Sequence, residues 1–119
     1  MNTEPFEMMR TDKRFDSMNL GDVEIYDLDN NGIYQGMGKT LNLSIGGLLF
    51  EIYEEIPVQL NYRVHFIISL HDASEMVELK GIIRWLHYHD GKIKIGVKFI
   101  PLTKKTTEKL RNFLSSLRK

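Results

Sequence analysis

Two clusters of polar residues have types and spacing suited to gripping an anionic ligand that carries flat rings. The first is Arg10-Thr11-Asp12-Lys13-Arg14, with two arginines four residues apart. A guanidinium is a planar fork of five donors that keeps its charge. It can hold a phosphate through two parallel bonds, grip guanine through O6 and N7, or lie flat on a purine ring. In an extended segment Arg10 and Arg14 stand roughly 13 Å apart, at about 3.3 Å per residue. A looped segment brings them closer. The second cluster is Asn42-Leu43-Ser44-Ile45-Gly46-Gly47. Asn42 and Ser44 are two apart, so on a strand they point to the same face. Both can donate and accept. Gly46 and Gly47 permit a positive φ and a backbone close enough to touch a ligand. Each cluster alone also has a plainer reading. The arginines can be a solvated arm, and Asn and Ser often bond to their own turn.

The elements that must position these clusters are mostly strands. Residues 1–18 are polar, lack periodicity and carry Pro5 and four methionines, and they read as a flexible N-terminal arm. From Leu20, Val23 and Ile25 alternate with Asp22, Glu24 and Tyr26 at strand period. Asp29-Asn30-Asn31-Gly32 predicts a hairpin turn into a strand over 33–43. Gly36 and Gly38 in that strand suggest a bulge or the close approach of another segment. Ser44-Ile45-Gly46-Gly47 interrupts it, and Leu48 to Ile52 resumes. Further strands are predicted over 63–70, 77–86 and 92–100, with turns at His71–Glu75 and His89-Asp90-Gly91. Trp85, mid-strand, is read as core, with lining the ligand site as the alternative. Pro101 ends the sheet, Thr103 suits an N-cap, and Leu110, Phe113, Leu114 and Leu117 recur at helical spacing. The expected fold is mainly β: a six-stranded antiparallel barrel over residues 19–119, preceded by the arm and closed by one C-terminal helix.

Composition narrows the function. With 119 residues and 42% hydrophobic content, the chain can bury one core as a single domain. It has no cysteine, hence no disulfide and no thiolate metal site. The first residues lack the apolar core of a signal peptide, and no stretch is long enough to span a membrane, so the expected location is the cytoplasm. Nucleophile elbow, P-loop and HExxH patterns are absent, and no carboxylate pair stands at acid–base spacing, so no enzymatic activity is expected. His87 and His89 form an H-x-H pair without an evident third metal ligand. The formal net charge is zero. Yet residues 104–119 hold six basic residues and one acidic residue, leaving +5 there and −5 elsewhere. That tail suits a solvated helix face, a protein partner or anionic lipid. The overall neutrality counts against DNA or RNA as partner, including single strands on a small barrel.

An RxxxR, then a [D/N]xSxxG about 30 residues later, then strands and a final helix, resemble the PilZ domain family. The resemblance extends to Gly47-Leu48-Leu49-Phe50-Glu51, to Gly81-Ile82-Ile83-Arg84-Trp85 and to Gly96-Val97-Lys98-Phe99. It implies a receptor for the second messenger cyclic di-GMP that changes shape and signals to a protein partner. It implies contacts from Arg10, Arg14, Asn42, Ser44 and Gly47; Met9 before the first arginine, Gly46 in the turn and Trp85 in its strand stand as secondary candidates. It implies no further cofactor. Met9, just before the first arginine, points to one ligand molecule rather than a stacked pair. Ordering 5–10 arm residues over a ligand costs on the order of 1–2 kcal/mol each, which sets the expected affinity near micromolar, about −8 kcal/mol. The alternative is a PilZ-like adaptor that binds protein and not nucleotide.

Overall fold

The computed structural model describes residues 20–70 and 75–116. Six strands run in chain order: β1 (Leu20–Tyr26), β2 (Gly32–Leu43), β3 (Gly47–Ile52), β4 (Arg63–Leu70), β5 (Glu75–His89) and β6 (Lys92–Phe99). Helix α1 (Lys104–Ser116) follows. The strands close into a barrel in the order β1-β2-β3-β6-β5-β4, and every pairing is antiparallel. Closure leaves no unpaired sheet edge. The described residues thus form the expected barrel and helix; Arg10, Arg14, Met9, the rest of the arm and most of the predicted His71–Glu75 turn lie outside them.

The alternation read from β6 explains its placement. Ile93, Ile95 and Val97 are buried, while Lys92, Lys94 and Lys98 face out. The same inward face recurs as Val23 and Ile25, Phe50 and Ile52, Val64, Phe66 and Ile68, and Val77 and Leu79. Phe50 and Phe66 meet at the centre, with ring centroids 5.1 Å apart and a 57° tilt, a favourable geometry for an aromatic pair. Leu110 and Phe113 of α1 join this core, and the helix packs on β5. Its first turn is capped as expected: the Thr106 N–H donates to Thr103 Oγ1 at 3.1 Å. The β5–β6 turn has Asp90 at φ 49° and Gly91 at φ 75°, the doubly positive pair that matches the twist of a hairpin. The β1–β2 turn is held by Asp27, whose carboxylate accepts the N–H groups of Asp29 and Asn31, both at 2.9 Å.

Gly36 and Gly38 are not at a bulge; the irregularities of β2 fall at Ile33 and Leu41. Gly38 is needed for space. A Cβ there would sit 2.7 Å from Val23 Cγ2 and 2.9 Å from Phe50 Cδ2. The close approach is of core side chains, across the barrel interior.

The outer face of β1, β4 and β5 carries an ionic stitch. His65 Nδ1 lies 3.3 Å from Glu24 Oε1, and Nε2 reaches Glu78 Oε2. Both ring nitrogens can donate at once only from an imidazolium. The Tyr26 hydroxyl also donates to Glu24 Oε1 at 2.8 Å. This bond, then the His65 bond, holds the Glu24 carboxyl below its ordinary range, and the same bond raises Tyr26.

Two outcomes follow. Gly38→Ala should lower stability in urea unfolding by about 1–3 kcal/mol, as overpacking does. Glu24→Gln should destabilise at neutral pH. Because the folded carboxyl is shifted down, that difference should vanish as pH falls through and below its folded range.

Candidate ligand-binding face

The site begins with the phase of β2. Thr40 pairs with Phe50, but Asn42 pairs with Leu49 and Leu43 with Leu48. Leu41 is therefore an extra residue, a β-bulge. Thr40 is fully buried beside the core, and in an unbroken strand Asn42 would follow it inward. The bulge turns Asn42 outward, beside Leu49. Thr40 Oγ1 remains buried with no hydrogen-bond partner among the described residues.

Strand β5 repeats the device. Ile83 pairs with Val97 inside the barrel, while Trp85 pairs with Gly96, so Arg84 is the extra residue. Trp85, read from sequence as core, is instead half-buried on the outer face. Its ring stacks on His87 with centroids 5.9 Å apart and planes within 9°. His87 stacks on His89 at 6.0 Å.

The two bulges place Asn42, Leu49, Gly96 and Trp85 in one cross-strand row over β2, β3, β6 and β5. Three strand spacings make the row about 14 Å long. Asn42 and Leu49 keep only 6% exposure each, although both point away from the core. Gly96 adds no side chain, so the row dips between Leu49 and Trp85.

Ser44 does not share a strand face with Asn42, because β2 ends at Leu43. It starts a turn instead. Its N–H donates to the Gly47 carbonyl at 2.9 Å. Its Oγ accepts the N–H groups of Gly46 at 3.1 Å and Gly47 at 3.2 Å. The Gly46 carbonyl accepts from Phe99 N–H at 3.0 Å, which pins the turn to the end of β6. The expected positive φ at Gly46 and Gly47 is not found; of the described glycines, Gly91 has it. The Ser44 bonds close this turn in ordinary backbone geometry. Gly46 matters as open space: a Cβ added there would meet nothing within 4 Å. The Ser44 hydroxyl hydrogen stays available to a ligand.

Charge is sorted between faces. Lys92, Lys94 and Lys98 line the outer side of β6, and Lys39 lies on β2 beside Glu51. A cleft of about 370 Å³ on the opposite side is lined by Asp22, Glu24, Gln35, Gly36, Met37 and His65. Its two carboxylates suit cations. The cationic side is the one that suits a phosphate.

The PilZ domain family model matches residues 10–116. The chain belongs to the PilZ domain family. Both polar clusters fall inside the match. No curated protein sequence matches. Among solved structures, the PilZ domain of YcgR from Escherichia coli with c-di-GMP is similar at TM-score 0.62 and 12% identity, over 84% of this chain and 82% of that one. Bacillus subtilis MotI/DgrA, an inhibitor of motility, is similar at TM-score 0.64 and 16% identity, over 99% of this chain and 51% of that one. K. pneumonia MrkH in its apo state is similar at TM-score 0.67 and 10% identity, over 99% of this chain and 52% of that one. The chain thus spans about half the length of MotI/DgrA and of MrkH. These likenesses establish the shared barrel.

In this PilZ domain the described site residues fall into two groups. Asn42 and Trp85 share the outer row, and Ser44, Gly46 and Gly47 form the turn at one end of β2. Leu49, Gly96, Lys94 and Glu51 also belong to the face and were not read from the sequence. Among the described residues no group of three His, Asp or Glu could hold a metal, and no helix is long and apolar enough to cross a membrane.

Ser44→Ala removes the acceptor of two backbone N–H groups. Urea unfolding without ligand should show a loss of about 1 kcal/mol. Gly46→Ala, with open space around it, should stay within about 0.5 kcal/mol of the parent.

Proposed function

We propose that this PilZ domain is a non-catalytic receptor for cyclic di-GMP. The ligand rests on the cationic outer face of β2-β3-β6-β5, and residues 10–14 close over it. The observation that carries this reading is the cross-strand row of Asn42, Leu49, Gly96 and Trp85. Two separate bulges aim its polar and aromatic ends outward, beside the Ser44 turn.

The chemistry suits that ligand. An indole ring offers a stacking surface to a purine, worth about 1–3 kcal/mol per base. The Asn42 amide can both donate to and accept from a guanine edge. The Ser44 hydroxyl and the open backbone at Gly46 suit a phosphate oxygen. Arg10 and Arg14 supply the charged forks for the two phosphates and the guanines. One molecule per chain fits Met9 before Arg10. Closing the arm changes the surface shown to a protein partner, and that change is the signal, in control of motility, biofilm or exopolysaccharide. The absence of a long apolar helix among the described residues fits work in the cytoplasm.

One observation favours a second reading, a protein adaptor that takes no nucleotide. The Ser44 oxygen already accepts two bonds within its own turn, which is a purely structural use of that residue.

Isothermal titration with cyclic di-GMP separates the two. The receptor reading expects saturable binding near micromolar, with one ligand per chain. Arg10→Ala and Arg14→Ala should each weaken it by a factor of about 10 to 150, the loss of charge-assisted bonds worth roughly 1.5–3 kcal/mol. The emission of Trp85, the chain's sole tryptophan, should change with the same midpoint. A folded chain that gives no heat, or arginine variants at parental affinity, would transfer the case to the adaptor.

A further inference from the structure

Beside the Trp85 row lies a second row on the same outer face: Lys39, Glu51, Lys94 and His87, paired in register across β2, β3, β6 and β5. Their strand neighbours Thr40, Phe50, Ile52, Ile93 and Ile95 are buried and Leu86 packs against the core, which fixes these four side chains outward. One step further along, His89 pairs with Lys92.

The cations of this face are not equivalent. Lys39 Nζ donates to the Tyr53 hydroxyl at 3.0 Å. Lys92 Nζ is 5.5 Å from the centroid of the Tyr53 ring. Glu51 lies between Lys39 and Lys94 in register. His89 Nε2 is 3.0 Å from Asp90 Oδ2. Lys94 has neither an ion pair nor a hydrogen bond to another described side chain. His87 is exposed, and its ring contacts are stacking contacts with Trp85 and His89. Lys94 and Lys98 each stand two residues from Gly96, the partner of Trp85, and neither is paired with another described side chain; Lys94 is the one whose direct cross-strand partner, His87, stacks on the Trp85 ring.

Resting on the cyclic di-GMP reading above, we propose that Lys94 and His87 form a phosphate subsite. They take one phosphodiester of the ligand while Trp85 takes a purine face, and protonation of His87 strengthens the grip. An ammonium presents three donors as a compact charge. A neutral imidazole presents one N–H, and an imidazolium presents two with a charge. The ring nitrogens of His87 bond in the plane of the imidazole, and that plane is within 9° of the indole plane, so their bonds are not aimed at the indole face. The direct neighbours of His87 are Lys94 across the strand pair and Trp85 and His89 along β5; the other titratable or charged groups on this outer face are Lys92 from β6, Glu51 and Tyr53 at β3 and its end, Lys39 from β2, and Asp90 in the β5–β6 turn. Among these side-chain types, imidazole is the one whose ordinary titration lies between pH 5 and 8.

The test is titration of the full chain with cyclic di-GMP at pH 5.5, 7.0 and 8.5, with His87→Gln, His89→Gln, Lys94→Met and Arg14→Ala alongside. The parent should bind about fivefold more tightly at the lowest pH than at the highest, a partly screened charge-assisted contact. His87→Gln should flatten that dependence, and His89→Gln should keep it. Lys94→Met, which preserves the aliphatic stem, should weaken binding about tenfold at pH 7.0. Circular dichroism should show each exposed-face variant folded. Parental binding that Arg14→Ala weakens, but that is flat with pH and indifferent to Lys94→Met, overturns this subsite and leaves the receptor reading standing. A pH dependence that survives in His87→Gln also overturns it. No binding by the parent at any pH overturns both.

Discussion

A β-strand offers its side chains only two directions, into the core or away from it, and one inserted residue exchanges them. The candidate site depends on that constraint being used twice. Leu41 in β2 and Arg84 in β5 are the inserted residues. Without the first, Asn42 would be in phase with buried Thr40. Without the second, Trp85 would be in phase with buried Ile83. With both, the ends of one row turn outward on strands separated by β3 and β6. The closed barrel fixes the register of those four strands, so the row cannot slip without turning apolar residues into water.

The core holds this geometry from the other side. Leu48, Phe50 and Ile52 are buried on the strand that carries Leu49 and Glu51 outward. Ile93, Ile95 and Val97 do the same for Lys94 and Gly96. Each outward residue is thus placed by buried neighbours at about 3.3 Å along its own strand. The Ser44 turn is fixed differently, by three bonds within residues 44–47 and one to Phe99. The candidate face combines a paired sheet with a bonded turn. The acidic side, with Asp22, Glu24 and Glu78 around His65, gives the barrel an opposite electrostatic character there.

The sequence was most legible where its signal was periodic. Alternation in β1 and β6, the Asp90-Gly91 turn and the Thr103 cap each follow from local chemistry, and their elements stand where expected. Strand β5 runs to His89, past the expected end at Leu86, because Leu86, His87 and Tyr88 still pair with β6. The bulges were not legible. Nothing in the local types of Leu41 or Arg84 marks them as inserted, since a bulge is a relation between two strands. That is why Trp85 was assigned to the core and Asn42 was expected to share a strand face with Ser44. The glycines at 36 and 38 looked like bulge formers, but Gly38 answers to Val23 and Phe50 across the interior, a contact visible only once the barrel is closed. Resemblance to the PilZ family supplied what periodicity could not, the expectation that residues 10–14 and residues 42–47 serve one ligand.

The most direct test of the central claim is residue-resolved: amide and indole NMR spectra of the labelled chain during addition of cyclic di-GMP. The account predicts saturable shifts at the Asn42 side-chain amide, the Gly46, Gly47 and Gly96 amides and the Trp85 indole N–H, with the opposite face unmoved. Shifts confined to Asp22–Glu24, Gln35–Met37 and His65–Ile67, with the Asn42 and Trp85 signals unchanged, would contradict it.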